Sequence, residues 1–239
     1  TKELQTITQK QDETKLEVEV VDKETGEKVE GAKFEIYYKK ADGKLEKVRE
    51  FTSGAENYYT TRLAVGKYIL RQVEGQKESI QDKGYATLGD IEFTIEDTVE
   101  IQKVEVLQDH TKLEIELVDK DTKEKLQGVR FELYNQNQEK ILEFTMAEEN
   151  YITTRLPVGE YTLKEVAGQK ESLYDKGYVT NKDMIIKVED KAEVQKVTVE
   201  QKESRLEIEL TDNEKVPGTT IQIIDKETQK VVAEFTTDA

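Results

Sequence analysis

The sequence predicts an all-β chain of seven-stranded β-sandwich domains arranged end to end. Three observations carry that expectation: apolar and polar residues alternate in short runs, turn residues separate the runs, and the whole pattern recurs with a domain-sized period. TKLEVEVVDKETGEKVEGAKFEIY from Thr14 returns as TKLEIELVDKDTKEKLQGVRFELY from Thr111, and in part as SRLEIELTDNEKVPGTTIQIID from Ser204. The equivalent leucines Leu16, Leu113 and Leu206 stand 113 − 16 = 97 and 206 − 113 = 93 residues apart. That spacing is close to one small domain and far beyond a solenoid unit. No segment sustains an apolar 3.6-residue period for three turns, so helix is confined to a turn or two, near residues 76–81 and 169–174.

The first strand places Leu16, Val18 and Val20 on one face and Glu17 and Glu19 on the other. Leu113, Ile115 and Leu117 repeat this against Glu114 and Glu116, the mark of a half-buried strand. Further strands are expected at 34–38, 47–52, 58–63, 67–73, 91–95 and 101–107, divided by Thr25-Gly26, Asp42-Gly43, Val65-Gly66 and Lys83-Gly84. Seven short strands imply a sandwich. The second repeat aligns with the first once four residues are removed from 38–49, where a hairpin tip tolerates length changes. Asn57-Tyr58-Tyr59 and Asn150-Tyr151-Ile152 each begin a strand, with one side chain expected inward and the next outward.

Domain boundaries follow from the same comparison. ELQTITQKQDETKL at 3–16 matches EIQKVEVLQDHTKL at 100–113 and EVQKVTVEQKESRL at 193–206, while the terminal EFTTDA corresponds to 50–55. The expected division is the last strand of a preceding repeat at 1–12, full repeats at 13–110 and 111–203, and the first strands of a truncated third repeat at 204–239. The chain thus reads as a segment of a longer array. Six residues separate Val106 from Leu113, none of them Gly or Pro, so neighbouring domains should abut and form a stiff rod.

With 52 acidic against 36 basic residues the formal net charge is −16, which repels nucleic acid and anionic bilayers. No run of about 18 apolar residues, signal peptide or sorting tail is visible. There is no cysteine, so no disulfide frames the fold. His110 is the single histidine, sits in the link between repeats and has no equivalent there, so it reads as a solvated linker residue. LPVGE at 156–160 aligns with Leu63-Ala64-Val65-Gly66-Lys67 and reads as a turn rather than a sorting signal. The acidic pairs Asp22/Glu24, Glu96/Asp97 and Glu189/Asp190 lack the dense D-x-D-x-D loop of a calcium site and read as solvated surface. No metal and no cofactor is expected.

A first strand ending in Asp, F-E-[IL]-Y, then R-L-x-V-G-x-Y-x-L, a K-G-Y loop and a V-x-V last strand together resemble the Cna B-type, or SpaA-like, domains of Gram-positive surface proteins. The resemblance implies a transthyretin-like sandwich whose first and last strands run parallel, used in adhesin stalks and pilus shafts at the cell surface or wall. Many members of that family also carry an isopeptide bond from a first-strand Lys to a last-strand Asn or Asp, assisted by a buried Glu. Here the Lys position is Val20, Leu117 and Leu210, the acceptor position is Gln11, Gln108 and Gln201, and the Glu position is Gln72 and Glu165. The reactive set is therefore expected to be dismantled, with aliphatic core in place of the amine.

Without cysteine, a repeated histidine or a cleft motif, no enzyme is expected. The expected function is a structural stalk or spacer of a bacterial surface protein, with neighbouring repeats and other copies in a fibre or lattice as partners. The alternative is an adhesive module recognising a host protein or glycan. A stalk should show Glu/Lys-rich outer faces, a binder one contiguous exposed apolar patch.

Overall fold

In the computed structural model, the structure describes residues 11–208, 216–226 and 229–238. The expected strand of a preceding repeat, nearly all of 1–12, and Leu210 lie outside the described residues. The chain divides into two compact units, Thr1–Lys202 and Glu203–Ala239.

Within the first unit, repeat one runs β1 (Lys15–Asp22), β2 (Lys33–Lys39), β3 (Leu45–Thr52), β4 (Tyr58–Thr61), β5 (Gly66–Gln72), β6 (Ile91–Ile95) and β7 (Ile101–Gln108). They form a three-stranded sheet, β4-β1-β7, and a four-stranded sheet, β3-β2-β5-β6. Repeat two copies this with β8 (Lys112–Asp119), β9 (Arg130–Tyr134), β10 (Lys140–Thr145), β11 (Tyr151–Thr154), β12 (Gly159–Glu165), β13 (Met184–Val188) and β14 (Val194–Gln201). Its sheets are β11-β8-β14 and β10-β9-β12-β13. The first and last strands pair in parallel along eight residues in each repeat, from Lys15↔Ile101 to Asp22↔Gln108 and from Lys112↔Val194 to Asp119↔Gln201. The second unit contains an antiparallel hairpin of β15 (Thr220–Ile224) and β16 (Val231–Thr236).

Alternation produces two separate cores. Leu16, Val18 and Val20 of β1 meet Phe34, Ile36, Tyr68 and Leu70 of the facing sheet, and Leu113, Ile115 and Leu117 meet Phe131, Leu133, Tyr161 and Leu163. Tyr58 stacks on Phe51 with centroids 4.1 Å apart and Tyr151 on Phe144 at 3.8 Å, while the next residues, Tyr59 and Ile152, are 49% and 58% exposed. The inward-outward expectation for these pairs holds.

The fourth strand ends earlier than expected because Arg62 and Arg155 turn to φ 61° and 65°, leaving the extended region. The helical windows shrink to 3-10 turns at Gln81–Lys83 and Tyr174–Lys176. Each follows a loop closed by a buried glutamine: the Gln76 side chain accepts Lys33 N–H and donates to Val73 O, and Gln169 does the same with Arg130 and Val166. Those contacts tie each loop to the strands beside it.

Candidate functional site

Val20 and Leu117 are 4% and 1% exposed and belong to the cores of their repeats. Val20 lies opposite Val106 and Leu117 opposite Val199, with Gln108 and Gln201 two positions further along the last strands. In repeat one the buried glutamines form a relay. Gln72 Nε2 donates to Gln108 Oε1 at 2.9 Å, Gln108 Nε2 donates to Ala86 O at 2.6 Å, and Leu88 N–H donates to Gln72 Oε1 at 2.6 Å. Each amide carbonyl thus has a donor, as burial requires.

Repeat two places Glu165 where Gln72 stands, and the partner changes with it. Asn181, aligned with Leu88, donates its N–H to Glu165 Oε2 at 3.1 Å and its Nδ2 to Gln201 Oε1 at 2.9 Å. Gln201 Nε2 reaches Glu165 Oε1 at 3.4 Å and donates to Val179 O at 2.5 Å. Burial raises the Glu165 carboxyl, and the hydrogen bonds from Asn181 and Gln201 only partly offset that rise. Sequence reasoning missed Asn181, although the paired change from Gln72/Leu88 to Glu165/Asn181 was visible in the aligned repeats. In both repeats the apolar side chains of Val20 and Leu117 lie on the same strand pair as these amides, two positions before Gln108 and Gln201 in register.

The second candidate is the joint between the repeats, and there His110 corrects the sequence reading: it is fully buried rather than solvated. Its ring stacks on Tyr85 with centroids 4.6 Å apart. Nε2 lies 3.1 Å from Asp22 Oδ2 and Nδ1 3.8 Å from Glu24 Oε1. Neither nitrogen has a hydrogen-bond partner among the described residues, because proximity is not alignment. The linker could not stay solvated because backbone bonds pull it between the domains. Thr111 N–H donates to Gly84 O at 3.0 Å, Ala86 N–H to Asp109 O at 3.0 Å and Val158 N–H to Gln81 O at 3.2 Å.

Charged groups complete the seal. Arg155 of repeat two pairs with Asp22 at 3.2 Å and with Glu24 at 3.1 Å. Asp190 accepts from Gln81 Nε2, Thr87 N–H and Thr87 Oγ1 at 2.8, 2.6 and 2.7 Å. Asp109 is held by Lys23 at 2.6 Å and Lys112 at 2.9 Å. Burial alone would raise its carboxyl, but these two lysines and the His110 N–H outweigh burial and hold it at about 2. Asp22 behaves alike: burial is overcome by the N–H groups of Thr25 and Glu24 and by the Tyr85 hydroxyl, which donates at 3.0 Å. The acidic pairs at Asp22/Glu24 and Glu189/Asp190 are thus joint and turn residues. Among the described residues no cluster of His, Cys, Asp or Glu could hold a metal ion.

The outer faces carry charge ladders duplicated between repeats. Lys47 bridges Glu35 and Glu50 at 2.7 Å each, and Lys140 bridges Glu132 and Glu143 at 3.1 and 2.8 Å. Arg71 lies over the Tyr37 ring and Lys164 over Tyr134. On the other sheets Tyr59 shares a row with Glu17 and Lys103, and Ile152 with Glu114 and Lys196. In LPVGE, Leu156-Pro157-Val158 lie in the connection between β11 and β12 and Gly159-Glu160 open β12, with Leu156 buried and the Tyr161 hydroxyl donating to Pro157 O at 2.7 Å.

Two parallel-closed sandwiches of three and four strands, butted through a buried joint, define a tandem prealbumin-like repeat. The chain belongs to the SpaA family of prealbumin-like fold domains, whose pattern matches residues 14–110 and 111–203. Among solved structures it is similar to the Bacillus anthracis TIE protein, at 22% identity and TM-score 0.47, over 95% of this chain and 42% of that one. It is also similar to a streptococcal ancillary pilin, at 17% identity and TM-score 0.37, over 80% of this chain and 62% of that one. The shaft pilin SpaA of Lactobacillus rhamnosus GG aligns at 12% identity and TM-score 0.32, over 82% of this chain and 99% of that one. The chain thus spans less than two thirds of the first two. No curated protein matches it. Among the described residues no helix is long and apolar enough to cross a membrane.

Proposed function

We propose that this chain is a non-enzymatic stalk segment of a bacterial cell-surface fibre, made of SpaA-type repeats without intramolecular isopeptide bonds. The single observation carrying this reading is the parallel pairing of β1 with β7 and of β8 with β14, coupled to a joint in which β7 ends at Gln108 and β8 begins at Lys112. A load passing along the chain enters each sandwich on its first strand and leaves on the strand bonded beside it, so eight residues of ladder resist together in shear. The duplicated charge ladders support the same reading, since they cover the outer faces with paired charge. The adhesive alternative has less support, because Tyr59 and Ile152 are each set in rows with a Glu and a Lys rather than in a contiguous apolar patch. Partners are then neighbouring repeats and other copies in a fibre, and the location is the cell surface or wall.

Valine and leucine at the amine positions cannot cross-link, so each repeat should unfold completely under force. The test is single-molecule pulling on the chain, with intact mass measured beside it. Steps of roughly 300–350 Å per repeat of about 95 residues, full refolding, and a mass equal to the sequence are expected. Shorter steps, or a mass deficit of one ammonia or water mapped to a branched peptide, would overturn the clamp-free reading.

A further inference from the structure

The imidazole of His110 is the one buried titratable side chain whose ring atoms are left without hydrogen bonds among the described residues, and it sits in the seam between two domains. Its equivalents in the aligned links are Glu13 and Glu203, so no other link of this chain carries an imidazole. A buried neutral ring stacked on Tyr85 explains the packing. It does not explain why a titratable side chain occupies a place that phenylalanine would fill.

The surroundings decide what a proton would do there. Facing the ring are Asp22 at the end of β1, Glu24 in the turn after it, Tyr85 after the first 3-10 turn and Arg155 after β11, with Asp109 beside it in the link. Asp22 draws the ring toward protonation, but its Oδ2 already receives the Tyr85 hydroxyl and Arg155 Nη1, and its Oδ1 receives two backbone N–H groups. Glu24 pairs with the same Arg155 and is 43% exposed, so water screens it. Asp109 is committed to Lys23 and Lys112. Arg155 repels a second cation. What remains is the cost of charging a sealed ring whose two N–H groups would find no aligned acceptor. Burial accordingly pushes the His110 imidazole down from its ordinary value of 6.5, with Arg155 adding to the fall and Asp22, Glu24 and Asp109 opposing it.

We propose that the joint between the two repeats is an acid-released hinge: His110 seals it while neutral and uncouples the repeats when protonated. The group whose folded value is depressed here is a base, so the sealed joint is the proton-poor state. Sealing is fully present above the open-link value of about 6.5 and is lost as pH falls below it, with the open fraction rising up to about tenfold per pH unit until the sealed ring itself titrates. Each repeat keeps its own core throughout, so release changes the angle between domains and not their folds.

The experiment uses the full chain. A single histidine gives one set of imidazole NMR signals, so its titration is read directly. The absence of cysteine lets Ala41→Cys and Gln136→Cys place two dyes at equivalent hairpin tips for single-molecule FRET. The expected result is a narrow distance distribution at pH 7.5 that broadens reversibly as pH falls below about 6.5, with the imidazole titrating below that ordinary value as the distribution broadens. His110→Phe should keep the distribution narrow across that range, and His110→Gln, also non-titrating, serves if the Phe variant fails to fold. A distribution that stays narrow or tightens in acid, an imidazole titrating above 6.5, or equal broadening in the non-titrating variant would overturn the proposal.

Discussion

Replacing Gly84 by alanine tests whether the repeats are fastened at the joint, because the second repeat supplies its own control. Gly84 and Gly177 occupy the same K-G-Y loop with φ 74° and 81°, so a Cβ costs each about 1–2 kcal/mol of left-handed strain. Their surroundings differ. A Cβ on Gly84 would lie 2.2 Å from the Arg155 carbonyl oxygen, while one on Gly177 meets nothing within 4 Å. Side-chain Cβ atoms do not come closer than about 3.0 Å, so Gly84→Ala must push the Arg155 backbone away by about 3.0 − 2.2 = 0.8 Å. That movement strains the three backbone bonds from Thr111, Ala86 and Val158 that close the joint, each contributing about 0.5–1.5 kcal/mol. The expected losses are about 3–5 kcal/mol for Gly84→Ala and about 1–2 kcal/mol for Gly177→Ala. Urea unfolding followed by tryptophan-free probes, far-ultraviolet dichroism and tyrosine fluorescence, measures both. Equal losses in the two variants would refute a joint held by close backbone contact.

Two further outcomes follow from the buried acids. Glu165, raised by burial above its ordinary 4.5, holds its proton longer in the folded state, so its contribution favours folding at low pH and is lost as pH rises through the folded value. Glu165→Gln, copying Gln72, should flatten that loss and leave the variant the more stable protein at pH 7; urea midpoints across pH 4–8 decide it, and an unchanged profile would refute the burial argument. Asp109, held at about 2, behaves oppositely: its stabilisation is present above about 4 and disappears as pH falls toward 2. Asp109→Asn should cost about 1–2 kcal/mol at pH 7 after allowing for the half-exposed Lys23, and the gap between the two proteins should close in acid.

The fold was legible because strand alternation is a local property repeated twice. Leu16/Val18/Val20 against Glu17/Glu19 names the inward face without knowledge of what lies opposite, and the recurrence at Leu113/Ile115/Leu117 makes chance an untenable reading. The expectation that Val20, Leu117, Gln72, Gln108, Glu165 and Gln201 stand where a reactive set would lie came from the family resemblance and not from alternation. Asn181 escaped because its role exists only once β12 and β14 bring Glu165 and Gln201 together across 36 residues of chain. His110 was misread for a related reason. A polar residue in a short link looks solvated when its neighbours in sequence are considered, yet Gly84 and Arg155 close over it from two different domains. The sequence by itself determined the strands, their inward faces and the repeat, because these depend on residues two apart or on comparison of equal segments. Tertiary structure alone decided how the repeats meet, because burial at the joint depends on pairs such as Asp22 and Arg155, 133 residues apart, whose approach no local pattern encodes.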